Sequence, residues 1–228
     1  MPLFDPMYLV FALPGLLLAM LATWMTKSTF ARYARVGASS GVTGAEAARL
    51  MLLREGVTDV KIEPTHGFLT DHYDPRTNTL RLSENVYHSQ SLSAIGVACH
   101  EAGHALQKAH AYAPLAMRSA LVPVTQFGSQ LAMPLLGIGL FMGHPMLLKI
   151  GIILFSAVVV FSLITLPVEW DASARAKRLM VRAGIVSHQE QVHAGKVLNA
   201  AFLTYLAAAV SAIMTLLYYL SVANRSRD

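Results

Sequence analysis

The sequence predicts a mainly α-helical, polytopic membrane protein with four transmembrane helices and a small α+β lobe. Three observations lead there. The 228 residues are 54% hydrophobic and only 14% charged, with a mean hydropathy of +0.48, whereas a soluble domain averages about a quarter charged residues. The apolar residues are gathered into four long blocks, each able to cross a hydrocarbon core at about 1.5 Å per helical residue. A polar stretch between the first two blocks carries strand and helix punctuation and leads into His100-Glu101-Ala102-Gly103-His104.

The first block, Met7 to Met25, contains Pro14-Gly15 and has no basic leader or small-residue cleavage site, so it reads as a span and not as a removable signal. Thr43 with Glu46 forms a capping-box pattern ahead of a short amphipathic helix, Ala45 to Glu55, stopped by Gly56. Val57 to Glu63 alternates as a strand that Pro64 ends. Gly67 to Tyr73 and Thr79 to Ser83 read as two strands joined by the turn Asp74-Pro75-Arg76-Thr77-Asn78. Ser91 or Ser93 caps the next helix, which no proline interrupts before Pro114. Spans follow at Ala120 to Phe141 and Leu147 to Leu166, with Gly143-His144-Pro145 as a tight connection. Pro167 to Gly184 reads as an amphipathic helix near the membrane surface. Ser187 caps a last helix that runs into the fourth span, Val197 to Leu220. The expected organisation is a first span in 1–26, a lobe in 27–118, a hairpin of spans in 119–168, a helical segment in 169–196 and a final span with its tail in 197–228.

Four spans put 27–118 and 169–196 on one side, and that side holds 15 of the 18 Lys and Arg residues; Lys149, Arg225 and Arg227 remain for the other. The positive-inside rule then makes the lobe cytoplasmic. The net charge of +5 is accounted for by these flanks, and no alternation of basic and aromatic residues suggests nucleic acid. The single cysteine, Cys99, excludes an internal disulfide and reads as core packing.

Two histidines four residues apart project from one face of a helix and can hold one metal ion, which makes the lobe zincin-like. His100 and His104 are expected to hold Zn²⁺. Glu169, three residues beyond a span and on the same side, is the expected third ligand, with Asp171 the alternative or a partner for a ligand histidine. Glu101 is the expected general base, moving a proton from the attacking water to the leaving amine. For an oxyanion donor the sequence offers His193, Tyr205, Arg175, Arg178 and His72, of which His193 is taken first. His66, His88, His110, His144 and His188 read as ordinary polar or packing residues. The strand Gly67 to Tyr73 could offer an edge to an extended substrate.

The chain resembles the YugP-like family, neutral zinc metallopeptidases of bacterial membranes, over nearly its whole length. The resemblance rests on Ser40-Gly41-Val42-Thr43-Gly44-Ala45-Glu46, Leu69-Thr70-Asp71-His72-Tyr73-Asp74-Pro75 and Leu80-Arg81-Leu82-Ser83 with Val86-Tyr87. It continues through Gly96 to Gln107, Pro167-Val168-Glu169-Trp170-Asp171-Ala172-Ser173 and Val197-Leu198-Asn199-Ala200-Ala201. More distantly it is similar to the HtpX and CAAX-processing membrane proteases, whose glutamate ligand opens an E-x-x-A-D pattern; here Ser173 stands where the aspartate would be. These resemblances imply a zinc endopeptidase of the bacterial inner membrane, with a cytoplasmic site and a part in membrane-protein quality control. The expected partners are a membrane-associated polypeptide substrate and the bilayer, and a second copy or another membrane protein is compatible with the small residues of the second span. The rival reading is a non-hydrolytic, zinc-binding scaffold or regulatory subunit, for which Glu101 would be superfluous. A transporter is disfavoured because the spans lack charges at mid-depth.

Overall fold

The structure, a computed structural model, describes residues 6–225. Arg227, which entered the charge argument, lies outside the described residues. Four helices are long and apolar enough to cross a membrane: α1 (Pro6–Tyr33), α5 (Ala113–Phe141), α6 (Pro145–Arg182) and α7 (His188–Arg225). The protein is a mainly helical, multi-pass membrane protein with a small β-containing lobe. The remaining elements are α2 (Gly44–Arg54), β1 (Lys61–Thr65), β2 (His72–Asp74), β3 (Thr79–Ser83), α3 (Glu84–Tyr87) and α4 (Leu92–Ala109).

The chain divides into two compact units. One comprises 1–22, 117–166 and 203–228; the other comprises 23–116 and 167–202. In the first, a cluster built from Leu136, Leu148, Ile152, Phe155, Val159 and Tyr218 forms the interior, while Leu17, Phe127, Ile153 and other large apolar side chains stay exposed. Such an outward apolar surface suits lipid and not water.

The second unit has a conventional core. Thr43 caps α2 by the full reciprocal capping box, and Gly56, at φ +76°, lets the chain leave the helix left-handed. Gly56 N–H donates to the Leu53 carbonyl and Val57 N–H to that of Leu52, a pairing that satisfies two terminal carbonyls. Val57 is therefore committed to the helix exit, and the strand predicted from Val57 begins only at Lys61. Pro64 does not end it but lies inside β1, opposite Leu82. The sheet order β1-β3-β2 makes β1 an edge strand, the place where a missing N–H is tolerated. β1 pairs with β3 in parallel and β2 with β3 antiparallel. The β2–β3 turn is held by Asp74, which accepts from Arg76 N–H and Thr77 Oγ1. The strand predicted over Gly67 to Tyr73 shrinks to His72–Asp74, because Gly67 (φ +110°) and Leu69 (φ +57°) leave extended geometry.

β3 has Leu80 and Leu82 fully buried, and α4 packs against α2, α3, β2 and β3. Ser91, not Ser93, caps α4 by accepting from Ala94 N–H, while the Ser93 hydroxyl donates to the Phe30 carbonyl. The amphipathic segment after Pro167 is continuous with the third span as the 38-residue α6. A proline within a helix removes one hydrogen bond, yet α6 is helical on both sides of Pro167.

Candidate metal centre

Three elements of sequence meet at one point in the second unit. His100 and His104 lie on successive turns of α4, and Glu169 lies on α6, two residues past Pro167. Glu169 Oε2 is 3.1 Å from His100 Nε2 and 3.6 Å from His104 Nε2, and one donor atom from each of the three lies within 4.8 Å of the others. The Glu169 side chain is 2% exposed, against 13% and 10% for the two histidines, so the carboxylate forms the floor and the imidazoles are the more accessible groups.

The close meeting of the two helices has a local cause. A Cβ at Gly103 would lie 2.6 Å from the Ala172 carbonyl oxygen, so only glycine lets the α4 backbone come this near to α6. Gly103 sits between His100 and His104 in sequence, and Ala172 is three residues beyond Glu169. The residue that brings the helices together is inside the motif itself.

Each imidazole has a partner on its outward nitrogen. Ser173 Oγ is 3.0 Å from His100 Nδ1. His104 Nδ1 is 2.9 Å from Gln107 Oε1. Gln107 Nε2 donates to the Val168 carbonyl and to Asp171 Oδ2, and Arg175 Nε donates to the same Asp171 oxygen at 2.6 Å. Asp171 is thus taken up by Gln107 and Arg175 and is not grouped with the three candidate ligands. Gln107 was not singled out by sequence reasoning; its position three residues after His104, on the same helix face, was the available signal.

Glu101 is 9% exposed, and its charge is felt by both His104 and Asp71. Burial by itself pushes the His104 imidazole down. Its bond to Glu169 and the negative charges of Glu169 and Glu101 outweigh this and hold it above the ordinary histidine value. Burial pushes the Asp71 carboxyl up, and the nearby Glu101 charge adds to the rise, against two opposing bonds from Ser83. Asp71 is a second residue at this site that sequence reasoning did not single out. His193 stacks on Tyr33, ring centroids 5.1 Å apart, and among the described residues no hydrogen bond joins it to His100, Glu101, His104 or Glu169.

The donor set fits a divalent metal. With zinc–nitrogen distances of about 2.0–2.1 Å, tetrahedral geometry puts neighbouring donor atoms about 3.3–3.4 Å apart, and the two measured edges of 3.1 and 3.6 Å bracket that value. Two imidazoles and one carboxylate leave a fourth position open, as catalytic zinc sites do.

With this geometry, the comparison with known proteins is decisive. A family model described as "Putative neutral zinc metallopeptidase" matches residues 8–224. The chain belongs to this family. It is 47% identical over 223 residues to the "Putative membrane protease YugP" of Bacillus subtilis (strain 168), an alignment covering 97% of this chain and 99% of that one. No solved structure matches. The chain is therefore a membrane protein of the YugP-like zinc peptidase family, with a His/His/Glu cluster able to hold a divalent metal.

Proposed function

We propose that the protein is a zinc-dependent endopeptidase that hydrolyses peptide bonds of membrane or membrane-proximal proteins at a cytoplasm-facing site. The observation that carries this is the convergence of His100, His104 and Glu169 with the buried Glu101 beside them. Zinc, when bound, supplies Lewis acidity that polarises a substrate carbonyl and acidifies a water molecule. Glu101 accepts the proton of the attacking water and delivers it to the nitrogen of the leaving amine. His100, His104 and Glu169 hold the ion, and Ser173 and Gln107 orient the two imidazoles. His193, which stacks on Tyr33, is the donor proposed for the oxyanion. β2 lies at one edge of the sheet and packs against α4, which supports strand addition by an extended substrate peptide. The cytoplasmic orientation rests on the 15 of 18 basic residues that flank the spans on the lobe side. A part in membrane-protein quality control is consistent with the name of the Bacillus relative, a membrane protease.

The test is to purify the protein in detergent, measure its metal content, and follow cleavage of peptide and membrane-protein substrates by wild type and Glu101→Gln. Zinc retained with cleavage reduced by about 10²-fold or more supports the assignment. Equal cleavage by the two proteins removes Glu101 as the base. Zinc bound with no cleavage by wild type favours the non-hydrolytic scaffold.

A further inference from the structure

We propose that Gln107 is the positioning residue of the metal centre, fixing by its own locked orientation which nitrogen of His104 faces the metal. This rests on reading the triad as a zinc site.

The Gln107 side chain is fully buried and makes three hydrogen bonds. Its Nε2 lies 2.7 Å from the Val168 carbonyl oxygen and 2.9 Å from Asp171 Oδ2, and its Oε1 lies 2.9 Å from His104 Nδ1. A carboxamide can be turned over about its last bond, and the turned form usually competes. Here it would set Oε1 against a carbonyl and a carboxylate, two acceptors with no proton between them, which is costly in a buried site. Both amide N–H groups are therefore committed to Val168 and Asp171, and the oxygen must face His104. An oxygen with no proton can only accept, so His104 carries its proton on Nδ1. In the neutral imidazole that a metal takes, Nε2 is then the nitrogen with the lone pair, and it is the nitrogen that faces Glu169; with no metal, a proton on Nε2 makes the bond to Glu169 instead.

Asp171 acts at one remove. It is held as an acceptor by Arg175 Nε, and Arg175 is itself braced by His110 Nδ1 at 2.9 Å and by the Tyr112 ring. The bond to Val168 has a further consequence. Val168 immediately precedes Glu169, so one side chain ties the His104 turn of α4 to the α6 backbone beside the third ligand. His100 is treated differently: the Ser173 hydroxyl can rotate to donate or accept and so permits either tautomer. The directional constraint on the site comes from Gln107.

The experiment uses the full-length protein in detergent. Zinc affinity is measured by competition with a chelator for wild type, Gln107→Leu and Leu106→Ala, the last equally buried on the same helix but without a polar group. Zinc-loaded wild type labelled with ¹⁵N-histidine reports the protonated nitrogen of His104 without any substitution. The expected results are Nδ1–H on His104 in wild type, zinc bound about 10–100-fold more weakly by Gln107→Leu, and affinity within about threefold of wild type for Leu106→Ala. A proton on Nε2 of His104, or equal losses of affinity in the two variants, overturns the proposal even where the metal site stands. Failure of wild type to bind zinc overturns the metal site and this proposal together.

Discussion

Two helices of this chain, α4 and α5, are both apolar and both contain glycine, yet they meet opposite surroundings. On α4, Leu92, Ile95 and Leu106 are fully buried by other protein. On α5, Phe127, Leu131 and Phe141 are 70%, 57% and 89% exposed. The same chemical pattern thus reports protein packing in one helix and a lipid-facing surface in the other. Glycines occur in both settings: Gly103 has the Ala172 carbonyl at 2.6 Å from the place of its missing Cβ, while on α5 Gly137 has nothing within 4 Å and Gly139 meets the backbone of Leu148 at 2.7 Å. On α4, composition is tied to a site; on α5, it is tied to a solvent.

The contrast can be broken by paired substitutions. Leu106→Ala should cost about 2–5 kcal/mol through lost burial and the cavity left behind, whereas Phe141→Ala should stay within about 0.5 kcal/mol. Denaturant unfolding of the full-length protein in detergent measures both, and equal losses would mean that α5 is packed like α4. Gly103→Ala should cost about 1–3 kcal/mol, because the opposing atom is backbone and cannot move aside cheaply. It should also weaken zinc retention, while Gly137→Ala leaves both unchanged; metal content after gel filtration in mild chelator checks this. The smallest effect concerns Cys99, fully buried in the same helix, where burial pushes its thiol up to about 12. Alkylation at pH 8 should leave Cys99 unmodified in the folded protein and modify it only after denaturation. Labelling of the native protein at the rate of a free thiol would show that α4 opens readily.

Much of this was legible in advance because it depends on short-range pattern. The capping box at Thr43 and Glu46, the stop at Gly56, the turn after Asp74 and the four apolar blocks each lie within one element, and the structure has them where the pattern put them. Errors fell where a distant partner decided the outcome. Pro64 reads as a strand end because its missing N–H is a local fact, but the edge position that tolerates it comes from pairing with β3. At Pro167 the helix runs on as α6, while the division between the two compact units falls between 166 and 167.

The metal centre divides in the same way. The i, i+4 spacing of His100 and His104 follows from helix geometry alone, and the two carboxylates after the third span are visible in the sequence. The sequence already favours Glu169 over Asp171; the structure adds the difference in direction between two residues that begin the same helical stretch. In the structure Glu169 faces the imidazoles, while Asp171 faces Gln107 and Arg175. The roles of Gly103, Ser173 and Gln107 depend on how closely α4 and α6 approach, a contact between residues some 60–75 positions apart.

By itself, then, the sequence determined the chemistry on offer and the elements that carry it: two histidines and a glutamate on one capped helix, acidic residues past a span, and four stretches that belong in lipid. These follow from backbone periodicity and the cost of exposing apolar surface to water, both of which act locally. Only the tertiary structure decided which side chains meet the outward nitrogens of the two imidazoles and what holds Asp171 apart from them. Hydrogen-bond direction and close helix approach arise only when segments far apart in the chain are brought together.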